Sequence, residues 1–558
     1  MEIGTAFAAI QFADQCIKYG RKLVRRCQNY RHAEAEIHDL MLSIEHNWMK
    51  TEAQINFLKR IAGTLEPSYC DVQSRVLSEL EGKLKTATLT MDQLIMHAKE
   101  ERRREVGKGE KDLDVRSMTK ALQRMAPRKK LKYAFDKERL ESMRDDLESW
   151  QRRFDPSWML TMRIADSLVD EQLQQEEEKP QQSEFIMAAK GVRDAAREPT
   201  SSSFAPVDGS IFKPPTTLSP HETQIPFSHT VLGQLADSKE QVLIDTMACN
   251  HAADMNRTMR DVRKLARILS KVDPSTFSLL ACKGVVNKGT ERPTFRFLFS
   301  IPLFFSSPTS LRALLIESNP RYPLNDRLDL AKQLTSSVLF IHSSQFVHKN
   351  IRPETTIIFR KKGTEGRCDL DTLCLVGFEK FRPAEGMTYL TSDGLWHHDL
   401  YRHPTRQGTR PEEEYQMQHD IYSLGVVLLE LGLWQSFITY PSPQPYKPDA
   451  EIAPIPPSFV AQHSPQKNHL KRASDIKAHL VLLAAEMLPA KMGTTYADIV
   501  LSCLRCLDRL TWSGQADDAG EAVGLEGGGF ENVVDDDGII IGVKYIEKIL
   551  LRMQQIRV

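Results

Sequence analysis

Two rhythms of apolar spacing divide this 558-residue chain. From its start to about residue 170, apolar side chains recur every three or four positions, the period of helices with one buried face. A first helix is predicted over Ile3–Asn29, with Phe7, Ile10, Ala13, Ile17, Val24 and Cys27 as its apolar set. A second covers Ala33–Leu65 on Ile37, Leu40, Leu42, Ile44, Trp48, Ile55, Leu58 and Ile61, with Pro67 as the stop just beyond it. A third spans Tyr69–Glu100 on Val76, Leu77, Leu80, Leu84, Leu89 and Leu94. After a Gly- and charge-rich break at 106–110, pieces over Lys132–Trp150 and Ser157–Leu173 complete a helical bundle, residues 1–173.

Residues 174–225 break the pattern. Gln and Glu come first, then Ser201–Ser203 and several prolines, a composition that buries no core and predicts a disordered linker. From 226 onward short alternating runs enter. Gln241–Ile244 and Thr294–Phe299 read as strands, with a helix over Met259–Leu269 between them. A helix over Arg327–Ser343 precedes a strand pair, Thr356–Phe359 and Leu373–Val376, and a last helix covers Val543–Arg557. The Gly- and acid-rich stretch 514–538 reads as an exposed insert.

Composition narrows the class. Lys+Arg and Asp+Glu each number 74, so no global field points to nucleic acid as a partner. Nine scattered cysteines form no disulfide framework, which suits reduced thiols and a cytoplasmic setting. Cys503 and Cys506 form a CxxC without a second pair of ligands nearby, so core packing is expected there rather than a metal. No apolar run is long enough to span a membrane, and the basic cluster follows the first apolar stretch instead of preceding it as in a secretory signal.

Chemistry concentrates in the second region. A helix leads into His348-Lys349-Asn350-Ile351-Arg352-Pro353-Glu354-Thr355. Gly377-Phe378-Glu379 follows the strand pair, then Tyr401-Arg402-His403-Pro404, then Asp420-Ile421-Tyr422-Ser423-Leu424-Gly425 opening a helix. In this order the parts resemble a protein kinase domain over 226–558. The resemblance implies an α+β bilobal fold in which Asn350 replaces the catalytic base. Thr355 and Gly377 replace the two magnesium ligands, and Asp245 replaces the phosphate-holding Lys. Glu379 is then the nearest remaining acid. A single glycine, Gly233, stands where a Gly-rich loop is expected, and Asp261 is a loose counterpart of the helix Glu that pairs with the missing Lys. No catalytic position is intact. His348, Pro353 and Asp420 read as fold-bracing residues, His348 through ring hydrogen bonds and Asp420 as a cap and an acceptor of loop N–H groups. Gly233, Lys349 and Arg352 are the candidates for nucleotide contact. ATP with magnesium would be the cofactor of such a remnant, and no metal ligand set is indicated.

The first region resembles the HeLo and HeLo-like domains of fungal heterokaryon-incompatibility and programmed-cell-death proteins. The residues that carry this are Ile3-Gly4-Thr5-Ala6-Phe7-Ala8-Ala9-Ile10, Leu131-Lys132-Tyr133-Ala134-Phe135 and Phe154-Asp155-Pro156-Ser157-Trp158. The resemblance implies a bundle that oligomerises and acts on membranes. Ile3, Phe7 and Ile10 would supply the apolar face, and Arg21 and Arg25 would meet anionic head groups. A helical bundle followed by a degenerate kinase-like domain is also similar in architecture to mixed-lineage-kinase-domain-like effectors. The expected protein is therefore multidomain and cytoplasmic, recruited to membrane on activation. A protein partner or upstream activator would act on the kinase-like part, with homo-oligomerisation through the bundle. Two alternatives stay open, a divergent active kinase using Glu379 and a non-catalytic scaffold.

Overall fold

The structure, a computed structural model of the chain, describes residues 2–30, 35–65, 67–105, 138–147, 167–178, 211–248, 255–272, 274–288, 294–302, 305–317, 322–361, 372–383, 395–408, 413–440, 455–461, 469–508 and 539–556, with Trp150, Phe154, Ile186, Met187, Lys190, Arg193, Asp194 and Pro411 as single positions. They form two compact units, Met1–Met187 and Ala188–Val558.

The first unit is helical: α1 Glu2–Tyr30, α2 Ala35–Ile61, α3 Pro67–Glu105 and α4 Ser167–Glu177. Pro67, read from the sequence as a stop, is the first residue of α3, where its missing N–H leaves no helix bond unmade. Helix α1 lies between α2 and α3. It is tied to α2 by Lys59–Asp14 at 2.5 Å and Arg21–Glu52 at 2.7 Å, and to α3 by Arg26–Asp92 at 2.7 Å. Its buried positions are Ala9, Ala13, Cys16, Gly20, Leu23 and Cys27, a 4-3-4-3-4 spacing. This differs from the predicted stripe, because Ile10, Ile17 and Val24 are only half-buried flanks. Small residues line the seam since both neighbours approach closely. A Cβ on Gly20 would lie only 2.0 Å from the Trp48 ring, which is itself held by its Nε1–H donating to Glu52 at 2.7 Å. Leu42 and Leu89, assigned to apolar faces, point outward. Leu42 stands two residues from Leu40, about 200° round the helix.

Both ends of the expected linker carry regular structure: helix α4 continues through Glu177, whose neighbour Glu176 is buried against Arg60, and Phe212–Lys213 and Thr223–Gln224 are strands. The second unit opens with strands β1 Phe212–Lys213, β2 Thr223–Gln224, β3 Val231–Gln234, β4 Gln241–Ala248, β5 Cys282–Lys288 and β6 Thr294–Ser300. They form one sheet in the order β1-β5-β6-β4-β3-β2, antiparallel except for the β1–β5 pair. Helix α5, Met255–Leu269, buries Val262, Leu265, Ala266, Ile268 and Leu269. Strands β7 Phe305–Ser310, β9 Thr356–Lys361 and β10 Thr372–Leu375 make a second sheet. A small pair joins β8 Phe346–Val347 to β11 Arg382–Pro383.

Helices α6 Leu311–Ile316, α7 Leu324–Ser343, α8 Met417–Leu433, α9 His469–Met492 and α10 Thr494–Leu504 build the body below. Every residue of α8 is buried, so it is the spine of that body. Cys503 and Cys506 lie in the same core, with the Cys506 thiol donating to the Gln418 carbonyl at 3.2 Å. The chain closes on Ile539–Tyr545, a π-helical turn Ile546–Leu551, and Arg552–Gln555. The insert 514–538 and the motif around Leu131–Phe135 lie outside the described residues.

Candidate functional site

The loop that follows α7 is fixed from beneath by α8. Asp420 lies in the first turn of α8, whose N-cap is Gln416, so it does not cap the helix. Its carboxylate accepts the backbone N–H of His348 at 2.7 Å and of Lys349 at 2.9 Å, and the Tyr415 hydroxyl donates to it at 2.7 Å. These bonds hold Lys349 at a φ of 64°, a left-handed backbone uncommon for a side-chain-bearing residue. The bracing expected of the His348 ring is thus made by its backbone. The ring lies against Phe378, centroids 4.9 Å apart, and burial, opposed by Asp420, pushes its pKa down to about 4. Pro353 starts the 3₁₀ turn Pro353–Thr355 that leads into β9.

The positions that depart from the expected kinase pattern meet one another. Asn350 Nδ2 donates to the Gly377 carbonyl at 3.1 Å and to Glu379 Oε1 at 3.0 Å. Asn350 Oδ1 accepts from Arg352 Nε at 2.9 Å, and Arg352 Nη2 stands 3.9 Å from Glu379. The Thr355 hydroxyl accepts the Arg352 N–H at 3.1 Å, and the hydroxyl reaches the Asn350 carbonyl at 2.7 Å. From the sheet above, Asp245 Oδ2 accepts the backbone N–H of Gly377 at 2.9 Å and of Phe378 at 2.6 Å. Gly377 has a φ of 87°, and a Cβ there would lie 2.7 Å from Thr355 Cβ and 3.2 Å from Asn350 Nδ2. Asp245, Asn350, Thr355, Gly377 and Glu379 therefore form a single closed network spanning sheet and body.

Each residue type suits that network. An amide at 350 donates to two acceptors, which an aspartate cannot do. A carboxylate at 245 accepts two amides, which a lysine cannot do. Arg352, a candidate for nucleotide contact, is buried and bonded within the network. Lys349 extends over the Tyr415 ring, 5.4 Å from its centroid. Asp261 lies on α5 among Arg257, Arg260 and Lys264.

Gly233 is not in a loop. It sits inside β3, paired with Val242, and packs on Ile244. The loop between β2 and β3 is Ile225–Thr230, and it contains no glycine. Phe227 takes a φ of 55° there and packs on Tyr440, ring centroids 4.8 Å apart. The Pro226 carbonyl accepts the Ser310 hydroxyl at 2.5 Å, while Ser310 also caps α6 by accepting the Ala313 N–H. Pro226, Phe227, Tyr440 and Ser310 were not singled out from the sequence. The available signal was the Pro-Phe-Ser-His run between two short strands, a turn composition that lacks the flexibility of a phosphate-cradling loop.

Behind the loop lies a second network. Arg312 on α6 is fully buried and donates to Glu354 at 3.0 Å, to Glu430 at 2.8 Å, to Ser436 at 2.6 Å and to the Tyr401 hydroxyl. Tyr401 donates in turn to Glu430 at 2.6 Å. Burial opposes ionisation of Glu354, but Arg312 and Arg352 outweigh it and hold its pKa down to about 2. The network joins α6, the 348–355 loop, α8 and the 401 segment.

In the bundle, Ile3 and Phe7 fall within α1, but their side chains lie outside the described residues, and Ile10 is half-buried. Arg21, Lys22 and Arg26 form ion pairs with Glu52 and Asp92, whereas Arg25 is exposed. Among the described residues no helix is long and apolar enough to cross a membrane, and no cluster of three or more metal-ligating side chains occurs. No protein-family model matches the chain, and no curated protein matches it in sequence.

Proposed function

We propose that the chain is a cell-death-type signalling regulator in which a kinase-like second unit, without phosphoryl-transfer activity, controls a HeLo-like helical bundle. One observation carries this reading: the positions that depart from the kinase pattern are bonded to one another, so that on this reading their polar groups serve each other instead of a nucleotide and its metals. The Asp420 clamp on the 348–349 backbone and the loop running from α7 to β9 support the kinase-like assignment. A divergent kinase gains no support, because Glu379 is engaged by Asn350.

A scaffold without membrane action is the second reading. It is favoured by the ion pairs that hold Arg21, Lys22 and Arg26 inside the bundle. Dye release from phosphatidylserine-containing vesicles separates the two. A chain of residues 1–187 is expected to release dye, the full chain to release much less, and Arg25→Glu to weaken release. If neither chain releases dye while circular dichroism reports intact helices, the scaffold reading stands and membrane action is abandoned.

A further inference from the structure

A pocket of about 60 Å³, several times the room one water molecule needs, lies in the second unit beside α9. Its apolar lining is Leu400, Val460, Ala473 and Ile476, all buried. Two of its polar side chains are already engaged. The Asp399 carboxylate accepts from Arg402 Nη1 at 2.9 Å, and Gln407 Nε2 donates to the Arg402 carbonyl at 2.7 Å. Arg472, which also lines the pocket from the first turn of α9, is not engaged in this way. Its Nη2 reaches the Val460 carbonyl at 3.4 Å, and its Nε is buried without an acceptor. Among the described residues it forms no ion pair.

An N–H buried without an acceptor is costly, and a ligand oxygen that reaches it removes the cost. A carboxylate matches a guanidinium in shape, accepting two parallel N–H bonds. The pocket offers one cation, and its own acid is already paired with Arg402, so a single negative charge suits it better than the near-double charge of a phosphate group. The apolar walls favour aliphatic carbon behind the carboxylate, and the volume limits that stem to a few atoms. We propose that this pocket binds a monoanionic carboxylate on a short aliphatic stem, with Arg472 as its cation and Leu400, Val460, Ala473 and Ile476 around the stem.

The site uses no residue of the Asp245–Asn350 network, and it stands whether or not the second unit is kinase-like and whatever the bundle does. Two sources share the chemistry: a free short-chain acid, and the side chain of a glutamate on a partner protein.

Saturation-transfer difference NMR on the full chain, titrated with sodium butyrate and with the capped peptide acetyl-Ala-Glu-Ala-amide, tests the site. Butyrate is expected to bind saturably with a Kd on the order of 1 mM, within the range open to so small a ligand. Butyramide, of the same shape but neutral, should bind about tenfold more weakly or not at all, and this comparison needs no variant. Arg472→Gln should weaken butyrate by about tenfold or more, the consequence of removing a charge-assisted hydrogen bond, and Arg472→Lys by less, since the charge stays and only the fork is lost. Circular dichroism verifies that both variants are folded. A peptide that displaces butyrate and binds more tightly than its Gln counterpart makes a partner's glutamate the source, whereas butyrate binding without peptide binding makes it a free acid. Butyrate that binds no better than butyramide, or equally well to folded Arg472→Gln, overturns the site, as does tighter binding of inorganic phosphate.

Discussion

Replacing Arg312 with Met is expected to lower the stability of the second unit by about 3–5 kcal/mol, the usual cost of removing one partner from a buried ionic network. Arg312 is fully buried and donates from all three of its guanidinium nitrogens. Its loss leaves Glu430 buried without its cation and Glu354 with Arg352 alone, a desolvation penalty that van der Waals filling by Met cannot offset. The effect has a pH signature. The Glu354 carboxyl is depressed to about 2 in the fold, so its stabilising contribution is full above the ordinary Glu pKa and is lost as pH falls toward 2. In Arg312→Met that loss on acidification shrinks to what Arg352 still supplies, and the gap between variant and wild type narrows at low pH. Combining Arg312→Met with Glu354→Gln and Glu430→Gln should recover much of the deficit, because the uncompensated charges go with the cation. Urea unfolding followed by tryptophan fluorescence at neutral and acid pH measures all three outcomes. A loss below about 1 kcal/mol, the range of exposed ion pairs, would mean the network is solvated rather than buried.

Gly377→Asp carries the second largest effect, and its interest is that it places the acid expected from the kinase resemblance where the structure has no room for a side chain. The new side chain must adopt a left-handed backbone, at about 1–2 kcal/mol, and displace Thr355, with overpacking typically worth about 1–3 kcal/mol more. Shortening the obstacle with Thr355→Ser should recover part of the loss, since it deletes the methyl group that the new Cβ meets first. Adding Asn350→Asp makes matters worse, because it turns two donors into acceptors facing the Gly377 carbonyl and the Glu379 carboxylate. Thermal unfolding of the single and double variants gives the stability order, with a phosphate-release assay alongside. A Gly377→Asp protein as stable as wild type would contradict the closed packing at 377.

Much of the second unit is legible in the sequence for physical reasons. Strands and helices there alternate in short, strongly apolar runs, so β6, α7, β9 and α8 fall close to their predicted positions. Asp420 is recognisable as the acceptor beneath the 348–349 loop because the resemblance places a buried acid at the start of that helix, and its carboxylate does accept the His348 and Lys349 N–H groups. What was not legible is pairing. Asn350, Thr355, Gly377, Glu379 and Asp245 read singly as losses, and nothing in their separation along the chain reveals that they bond to one another. Gly233 was misplaced because a lone glycine in an apolar run suits a strand as well as a loop, and the register with Val242 decides it. In the bundle the helices are evident, but the buried seam of α1 is not. Hydrophobic weight favours Ile10 and Ile17, whereas close approach to Trp48 selects Ala13, Cys16 and Gly20.

The central claim of the proposed reading is that Asp245, Asn350, Thr355, Gly377 and Glu379 bond to one another and do not bind a nucleotide. Equilibrium dialysis of the full chain against radiolabelled ATP, with and without magnesium, tests it most directly. The account predicts no saturable binding at millimolar nucleotide in either condition, and no difference between wild type and Arg352→Gln. Saturable, magnesium-dependent binding that Arg352→Gln abolishes would contradict it.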